Sequence, residues 1–182
     1  MSLNGPALWY ATRATGLVAL LLLTATTAFG LLTAGRVSGQ RWPRFLVVGL
    51  HRNISLLALT FLTLHVLTTV IDTYVHIPIQ AALVPFLSGY HRFWLALGII
   101  ASDMLIALSI TSALRQRIGH RFWRVVHWCG YLCWPVAMAH ALGIGTDRKT
   151  WVFYVAVACG LTVIVAAIAR AFAALPSRRL AP

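Results

Sequence analysis

Long apolar stretches alternate with short polar or basic segments along the whole chain. Each stretch reaches the roughly 20 apolar residues that a helix needs to cross the hydrocarbon core of a bilayer. The segments between them are too short for a soluble domain of about 100 residues. The pattern therefore predicts one all-α domain over residues 1–182, an integral membrane bundle of about five transmembrane helices. The predicted spans are Pro6–Ala34, Phe45–Asp72, Phe93–Leu114, Phe122–Ile144 and Trp151–Leu175.

The composition agrees with a lipid bilayer as the surroundings of the chain. Hydrophobic residues make up 60% of the sequence and charged residues 10%, and the mean hydropathy is +0.83. The second loop, Thr73–Tyr90, holds the apolar stretch Ile77–Leu87, which is too short to cross a membrane. We expect this stretch to lie on the outer surface or to cover the mouth of the bundle.

The distribution of positive charge predicts the topology. The chain has 15 Lys and Arg against 3 Asp and Glu, a net charge of +12. Eleven of the 15 lie in or beside the first and third loops and near the C-terminus, and four lie on the other side. This positive-inside pattern places the N-terminus outside and the C-terminus in the cytoplasm, which an odd number of spans allows. We therefore expect no nucleic-acid partner. The Arg- and Ala-rich usage is typical of a high-GC bacterium, which predicts a multi-pass protein of the bacterial cytoplasmic membrane.

Four histidines form two pairs on two predicted spans. His51 and His65 are 14 residues apart on the second span, and His127 and His140 are 13 apart on the fourth. Each spacing corresponds to roughly 20 Å along a helix, most of the roughly 30 Å hydrocarbon core. In the predicted topology both spans run from the inside outward, so His51 faces His127 at the inner level and His65 faces His140 at the outer level.

This arrangement predicts a site for metal ligation in the core of the bundle. A single intramembrane histidine often has a structural, hydrogen-bonded role, but four histidines matched in depth favour ligation. Two histidines across a gap between helices can hold a haem iron. We therefore expect two haem b groups, with His51/His127 as the inner ligands and His65/His140 as the outer ligands.

The rotation of the fourth span makes a specific structural prediction. Fourteen residues return to within about 40° of the same helix face, but thirteen residues miss it by about 140°. Pro135 lies between His127 and His140 and removes the hydrogen bond to the carbonyl of Tyr131. We expect a distortion between Gly130 and Pro135 that turns both histidines towards the second span.

Four arginines lie near the predicted haem levels. Arg13 and Arg92 are placed to pair with propionates of the outer haem, and Arg52 and Arg124 with those of the inner haem. Arg13 is also close enough to a helix end to extend its charge to the membrane surface instead.

The remaining polar residues leave alternatives open. Asp103, near the middle of the third span, would be a structural hydrogen-bonding group, a neutral protonated acid or a proton relay, and we expect the structural role. We expect His76, His91 and His120 to be solvated loop residues. An external metal or substrate site at His76 and His91 is the alternative.

The chain resembles the ferric reductase-like transmembrane domain, a family that includes ferric-chelate reductases, the NADPH oxidases and the haem subunit of a bacterial methionine sulfoxide reductase system. The resemblance covers roughly residues 10–145. It is carried by Arg13-Ala14-Thr15-Gly16 and by the two histidine pairs, whose spacings of 14 and 13 are similar to those of the NADPH oxidases. It implies the same inner and outer haem pairs and single-electron transfer from the cytoplasm to an outside acceptor.

One departure from the family bears on the electron donor. Ferric-chelate reductases and NADPH oxidases continue into a flavin and nicotinamide domain, whereas these 182 residues contain no Gly-rich nucleotide loop after the last span. We therefore expect an oxidoreductase subunit that takes electrons from a separate flavoprotein or a quinol. The alternatives are a quinol-linked subunit resembling cytochrome b561, and a non-redox transport or assembly subunit whose histidines bind metal or only pack.

Overall fold

The computed structural model describes residues 6–34, 43–73, 75, 77–144 and 151–174. These residues form helices and connecting turns, with no strand among them, which confirms the all-α prediction. The helices in chain order are α1 (Pro6–Ala34), α2 (Arg44–Ile71), α3 (Ile79–Leu83), α4 (Arg92–Ala113), α5 (Arg115–Ile118), α6 (His120–Trp128), α7 (Gly130–Ile144) and α8 (Trp151–Ala174).

Four of the five predicted spans are continuous helices. Within the described ranges, the segments long and apolar enough to cross a membrane belong to α1, α2, α4 and α8. The proline at the N-cap of α2, Pro43, has a φ of −58°, the value that a proline ring fixes and that suits the start of a helix. The chain is thus a multi-pass membrane protein. The orientation of its termini stays a prediction.

The remaining predicted span is divided into α6 and α7. The break lies at Cys129, whose N–H donates to the carbonyl of Val126 at 3.0 Å, and Leu132 N–H donates to the carbonyl of Cys129 at 2.9 Å. Bonds to the third residue back wind a helix more tightly than regular α-helical bonds. The tighter winding adds rotation about the helix axis, which reduces the angle between the directions of His127 and His140.

The structure therefore confirms that this span is distorted, but the distortion lies at a different position from the one predicted. We expected it between Gly130 and Pro135, whereas the break comes just before Gly130 and α7 continues through Pro135. The proline falls in the second turn of α7, where it leaves the helix unbroken. A second interruption, between α5 and α6, depends on Gly119, whose φ of 82° and ψ of 146° suit only glycine.

The packing of the helices leaves a space between α2 and α7. Helix α1 packs along α2 and also touches α7 and α8, and α4 packs along α7 and touches α2. In the described part of the chain α2 and α7 do not pack closely on each other, so α1 and α4 flank the space between them. The middle of the bundle is closed by a cluster of buried side chains: Leu23, Leu105, Leu108 and Cys133.

The second loop covers one end of the bundle, as predicted. Ile77, two residues before α3, and Ala81, within α3, are buried against Leu95 and Ile99 of α4. We call this end, with His65 and His140, the outer end. We call the opposite end the inner end.

Candidate functional site: two histidine pairs

The structure brings the four histidines together in the two pairs that the sequence predicts. At the inner end, the ring centroids of His51 on α2 and His127 on α6 are 6.2 Å apart, with an angle of 72° between the ring planes. At the outer end, the centroids of His65 on α2 and His140 on α7 are 6.5 Å apart, at 76°. Both pairs lie across the space between α2 and the α6–α7 segment.

Three of the four rings are held by backbone carbonyls through Nδ1. His51 Nδ1 is 3.1 Å from the carbonyl oxygen of Thr26, and His65 Nδ1 is 2.9 Å from that of Thr12. His140 Nδ1 is 2.8 Å from the carbonyl oxygen of Trp94. A carbonyl can only accept, so Nδ1 must donate its proton in each bond, and a neutral ring then keeps its lone pair on Nε2. Metal-ligating histidines usually hold their second nitrogen in this way.

A glycine lies beside each of these three rings, four residues after the carbonyl that accepts the bond. A Cβ on Gly98 would lie 2.5 Å from His140 Nδ1, one on Gly16 2.9 Å from His65 Nδ1, and one on Gly30 3.5 Å from His51 Cε1. In an α-helix the carbonyl of residue i already accepts from residue i+4, and side chains lean towards the N-terminus over that carbonyl. A glycine at i+4 leaves the second lone pair of the carbonyl open to the imidazole.

The fourth ring, His127, is held differently. Its Nδ1 is buried and has no hydrogen-bond partner among the described residues. Its ring instead stacks on Trp123, one turn earlier on α6, with centroids 4.9 Å apart and planes at 28°. Trp123 donates from Nε1 to Ser112 Oγ at 3.2 Å, and its ring also stacks on His120 at 5.0 Å. His120, predicted to be a solvated loop residue, is exposed at the start of α6.

The ring separations fit one metal between the members of each pair. An imidazole nitrogen binds a metal at about 2.0–2.1 Å and the ring centroid lies about 1.1 Å behind it, so two imidazoles on opposite sides of one metal have centroids about 6.3 Å apart. The observed values are 6.2 and 6.5 Å. A cavity of about 740 Å³ opens beside the outer pair, within the usual range of about 300–1,000 Å³ for cofactor sites. The residues present therefore fit a haem.

The four arginines have different surroundings. Arg13 lines the cavity beside the outer pair, and its guanidinium lies 4.4 Å from the ring centroid of Trp9. Arg92 does not line this cavity, and its exposed side chain donates from Nε to the carbonyl of Phe86 at 2.7 Å. Arg52 and Arg124 are exposed at the inner end, next to His51 and one turn before His127. Of these four arginines, Arg13 is thus the one that lines the same cavity as a histidine pair, His65 and His140.

Asp103 departs from its expected role. Its side chain is exposed at the middle of α4, on the side opposite the buried residues Ala101, Leu105 and Leu108. No hydrogen bond to it is found among the described residues, so the expected structural bond within the bundle is not observed. An Asp at the centre of a membrane helix costs about 2.5–3.5 kcal/mol on insertion scales.

Of the two histidines predicted in or beside the second loop, His76 and His91, the structure describes one. His91 is exposed, contacts the ring of Tyr90 and is the N-cap residue before α4, with a φ of 36°. It does not line the cavity. His76 lies outside the described residues.

A hydrogen bond crosses the bundle between the levels of the two pairs. Trp134 of α7 donates from Nε1 to Thr24 Oγ of α1 at 2.9 Å, and Thr24 Oγ donates to the carbonyl of Leu20 at 2.8 Å. Trp134 packs against the central cluster, which separates the inner from the outer level.

The sequence contained a signal for the ring supports that we did not use. The pairs Thr12/Gly16 and Thr26/Gly30 on α1 are themselves 14 residues apart, like His65 and His51. Trp94 and Gly98 repeat the same four-residue offset on α4. A carbonyl–glycine pair repeated at the histidine spacing predicts which residues of a neighbouring helix support the rings.

Comparison with known proteins gives one family. The profile of the family described as "Ferric reductase like transmembrane component" matches residues 15–138, more than half of the chain and a range that includes His51, His65 and His127 but ends before His140. No curated protein and no solved structure matches the chain. On the extent of the family match, the chain belongs to the ferric reductase-like transmembrane component family.

Proposed function

We propose that the protein is a bis-haem b membrane cytochrome that passes single electrons between the two faces of the bilayer. Family membership supports the coarser statement, that the chain is a membrane redox component. The proposal adds the number of haems, their ligands and the path across the membrane. It treats residues 1–182 as a single domain of this kind.

One observation carries the proposal. Two histidine pairs with nearly equal ring separations, 6.2 and 6.5 Å, lie at two depths of one bundle. The 14-residue spacing of His51 and His65 on the continuous helix α2 sets these depths about 21 Å apart. A purely structural histidine needs one hydrogen-bond partner and has no reason to face a second histidine at a metal-spanning distance.

The residues of the chain have distinct roles in this proposal. The carbonyls of Thr12, Thr26 and Trp94 fix the tautomers of three rings, so that Nε2 is the nitrogen left to ligate. The two imidazoles of a pair would both hold the haem iron, so that the group would serve electron transfer and not direct binding of an acceptor. The central cluster keeps water out of the middle of the bundle, and Arg13 offers a positive charge to propionates at the outer end. When bound, haem supplies a one-electron iron couple.

The proposed direction and partners rest on the family resemblance together with the predicted topology. Electrons would enter at the inner end from a cytoplasmic flavoprotein or a membrane quinol and leave at the outer end to an extracytoplasmic acceptor. The protein would thus be the electron-transfer subunit of a membrane oxidoreductase.

A quinol-linked function would need a polar group facing an apolar pocket beside a histidine pair. Neither Asp103 nor His91 lines the outer cavity. Asp72, which is buried at the C-terminal end of α2, does line it. This residue is the one to change in a test of quinol oxidation.

A reduced-minus-oxidised spectrum of the purified protein tests the proposal. We expect a b-type α band and two haems per chain. His65→Ala should remove one haem and leave the other. The matched control is His91→Ala, since His91 is exposed at the same end and should leave both haems in place. Absence of the α band in the wild-type protein would contradict the proposal. Addition of a reduced flavoprotein or a quinol then identifies the donor by the rate at which the band appears.

A further inference from the structure

The outward face of α4 carries an acid at the middle of the membrane. Asp103 lies 11 residues from the first residue of α4 and 10 from its last, so about 15–17 Å of helix separates it from either end. The exposed residues Ile106, Ala107 and Ile110 follow it at the 3, 4 and 7 spacing of a single helix face. We call these four residues the Asp103 face.

The Asp103 face points away from the rest of the bundle. Gly98, Ala101 and Leu105, which line the cavity, are on the opposite side of the helix, whereas Ile99, one turn before Asp103 on the same side, is buried in the cluster with Ile77 and Ala81 at the outer end. Lipid chains offer no hydrogen-bond partner to a carboxyl group, and ionisable residues within membrane helices normally face a protein or an aqueous neighbour. The chain itself supplies no partner among its described residues.

We propose that the Asp103 face is a contact between two copies of this chain, in which the two Asp103 carboxyl groups hydrogen-bond to each other across a twofold axis. A neutral carboxyl group carries one donor and free acceptor positions, so it is complementary to a second copy of itself. A twofold axis is also the commonest symmetry of homo-oligomers, and it brings the same residue of both copies together.

The shape of the face agrees with this occupant. Ala107 lies one turn from Asp103, and a small side chain at that position lets two helix backbones approach closely in a membrane. Ile106 and Ile110, with 44% and 52% of their surface exposed, would be covered on either side of the pair. By contrast, the exposed face of α8 at Leu161, Ile164 and Ile168 is wholly apolar and suits lipid. The contact uses none of the four paired histidines, so this proposal is independent of the haem assignment.

The test measures self-association of the full chain in liposomes at increasing dilution in lipid. We expect the wild-type protein to dimerise and Asp103→Leu to weaken the dimer at least tenfold. Asp103→Asn keeps a donor and an acceptor and should retain most of the affinity. Leu161→Ala, on the apolar face of α8, is the matched control and should leave the affinity unchanged.

A cross-linking experiment keeps the test valid if Asp103→Leu fails to fold. In a Cys129→Ser background, which removes the exposed thiol, Ala107→Cys should form a disulfide-linked dimer on mild oxidation, and Leu161→Cys should not. A wild-type chain that stays monomeric at every lipid dilution, or equal cross-linking at both positions, would overturn the proposal. Cross-linking of Ala107→Cys to a different membrane protein, with no homodimer, would overturn it as well.

Discussion

The inner and outer histidine pairs have nearly the same geometry but different supports. At the outer end, both His65 and His140 donate to carbonyls, at 2.9 and 2.8 Å, and both rings lie against glycines. At the inner end, His51 has a longer bond of 3.1 Å and a looser glycine contact. His127 lies on the short helix α6 and relies on stacking with Trp123.

The outer pair is thus held by backbone carbonyls, and the inner pair is held partly by a side chain. Backbone carbonyls of a long helix move little, whereas a stacked ring next to a helix break at Cys129 can adjust. We therefore expect the outer site to be sensitive to added volume and the inner site to be sensitive to loss of an aromatic ring.

Gly98→Ala should have the largest effect. The added Cβ would lie 2.5 Å from the His140 ring, so either the ring or α4 must shift and the bond to the carbonyl of Trp94 is lost. Loss of such a support typically costs 10–100-fold in metal affinity. We expect the outer haem to be lost or weakened by that factor while the inner haem stays, measured as haem per chain.

The glycines offer a graded series and a control. Gly16→Ala, at 2.9 Å from His65, should weaken the outer site less than Gly98→Ala, and Gly30→Ala, at 3.5 Å from His51, should affect the inner site least. Gly160→Ala on α8 meets nothing within 4 Å and should leave both sites intact. Equal effects of all four substitutions would contradict the role assigned to the ring contacts.

Trp123→Leu should have a smaller effect, confined to the inner site. Aromatic pairs contribute about 0.5–1.5 kcal/mol beyond their buried area, which corresponds to a few-fold to about tenfold in affinity. The readouts are the reduction potential and the low-spin electron paramagnetic resonance signal of the inner haem. Trp123→Phe should restore most of the wild-type signal, and Trp128→Leu, an exposed residue of the same helix, should change neither. A change in the reduction potential or resonance signal of the outer haem, instead of the inner one, would contradict the role of Trp123 at the inner site.

Thr24→Val should have the smallest effect on haem retention, and the effect should be the same at both sites. It removes the acceptor of the Trp134 N–H at the level between them, and a hydrogen bond of this kind contributes about 1 kcal/mol. We expect a lower temperature of haem release for both sites together. Thr60→Val is the control, because the Thr60 hydroxyl is exposed and bonds only within its own helix, to the carbonyl of Leu56. A lower release temperature for one haem alone would contradict the prediction, because it would mean that the Trp134–Thr24 bond stabilises one site only.

Much of the fold could be predicted because it depends on composition and spacing. The apolar lengths predicted the spans, and the covering role of Ile77 and Ala81 followed from a stretch too short to cross. The similar spacings of 14 and 13 residues, together with the parallel direction that the charge pattern gave the two spans, predicted which histidines would face each other. These properties depend on helix rise and membrane thickness, which vary little between proteins.

Other features depend on three-dimensional packing and could not be predicted. The break before Gly130 arises from local winding at Cys129, whereas the proline rule pointed further along the chain. The outward direction of Asp103 depends on which face of α4 packs against α7, and the hydropathy of α4 is nearly uniform around the helix. The proximity of Trp123 to His127 follows from their four-residue spacing on α6, but the lack of a hydrogen-bond partner for His127 Nδ1 among the described residues depends on packing around α6.

The central claim is the pairing of the histidines, and the haem spectra of four single variants test it most directly. His65→Ala and His140→Ala should each leave one haem with the same α band and potential, that of the inner site. His51→Ala and His127→Ala should leave the complementary haem of the outer site. Different residual spectra for His65→Ala and His140→Ala, or two haems retained in any of the four variants, would contradict the account.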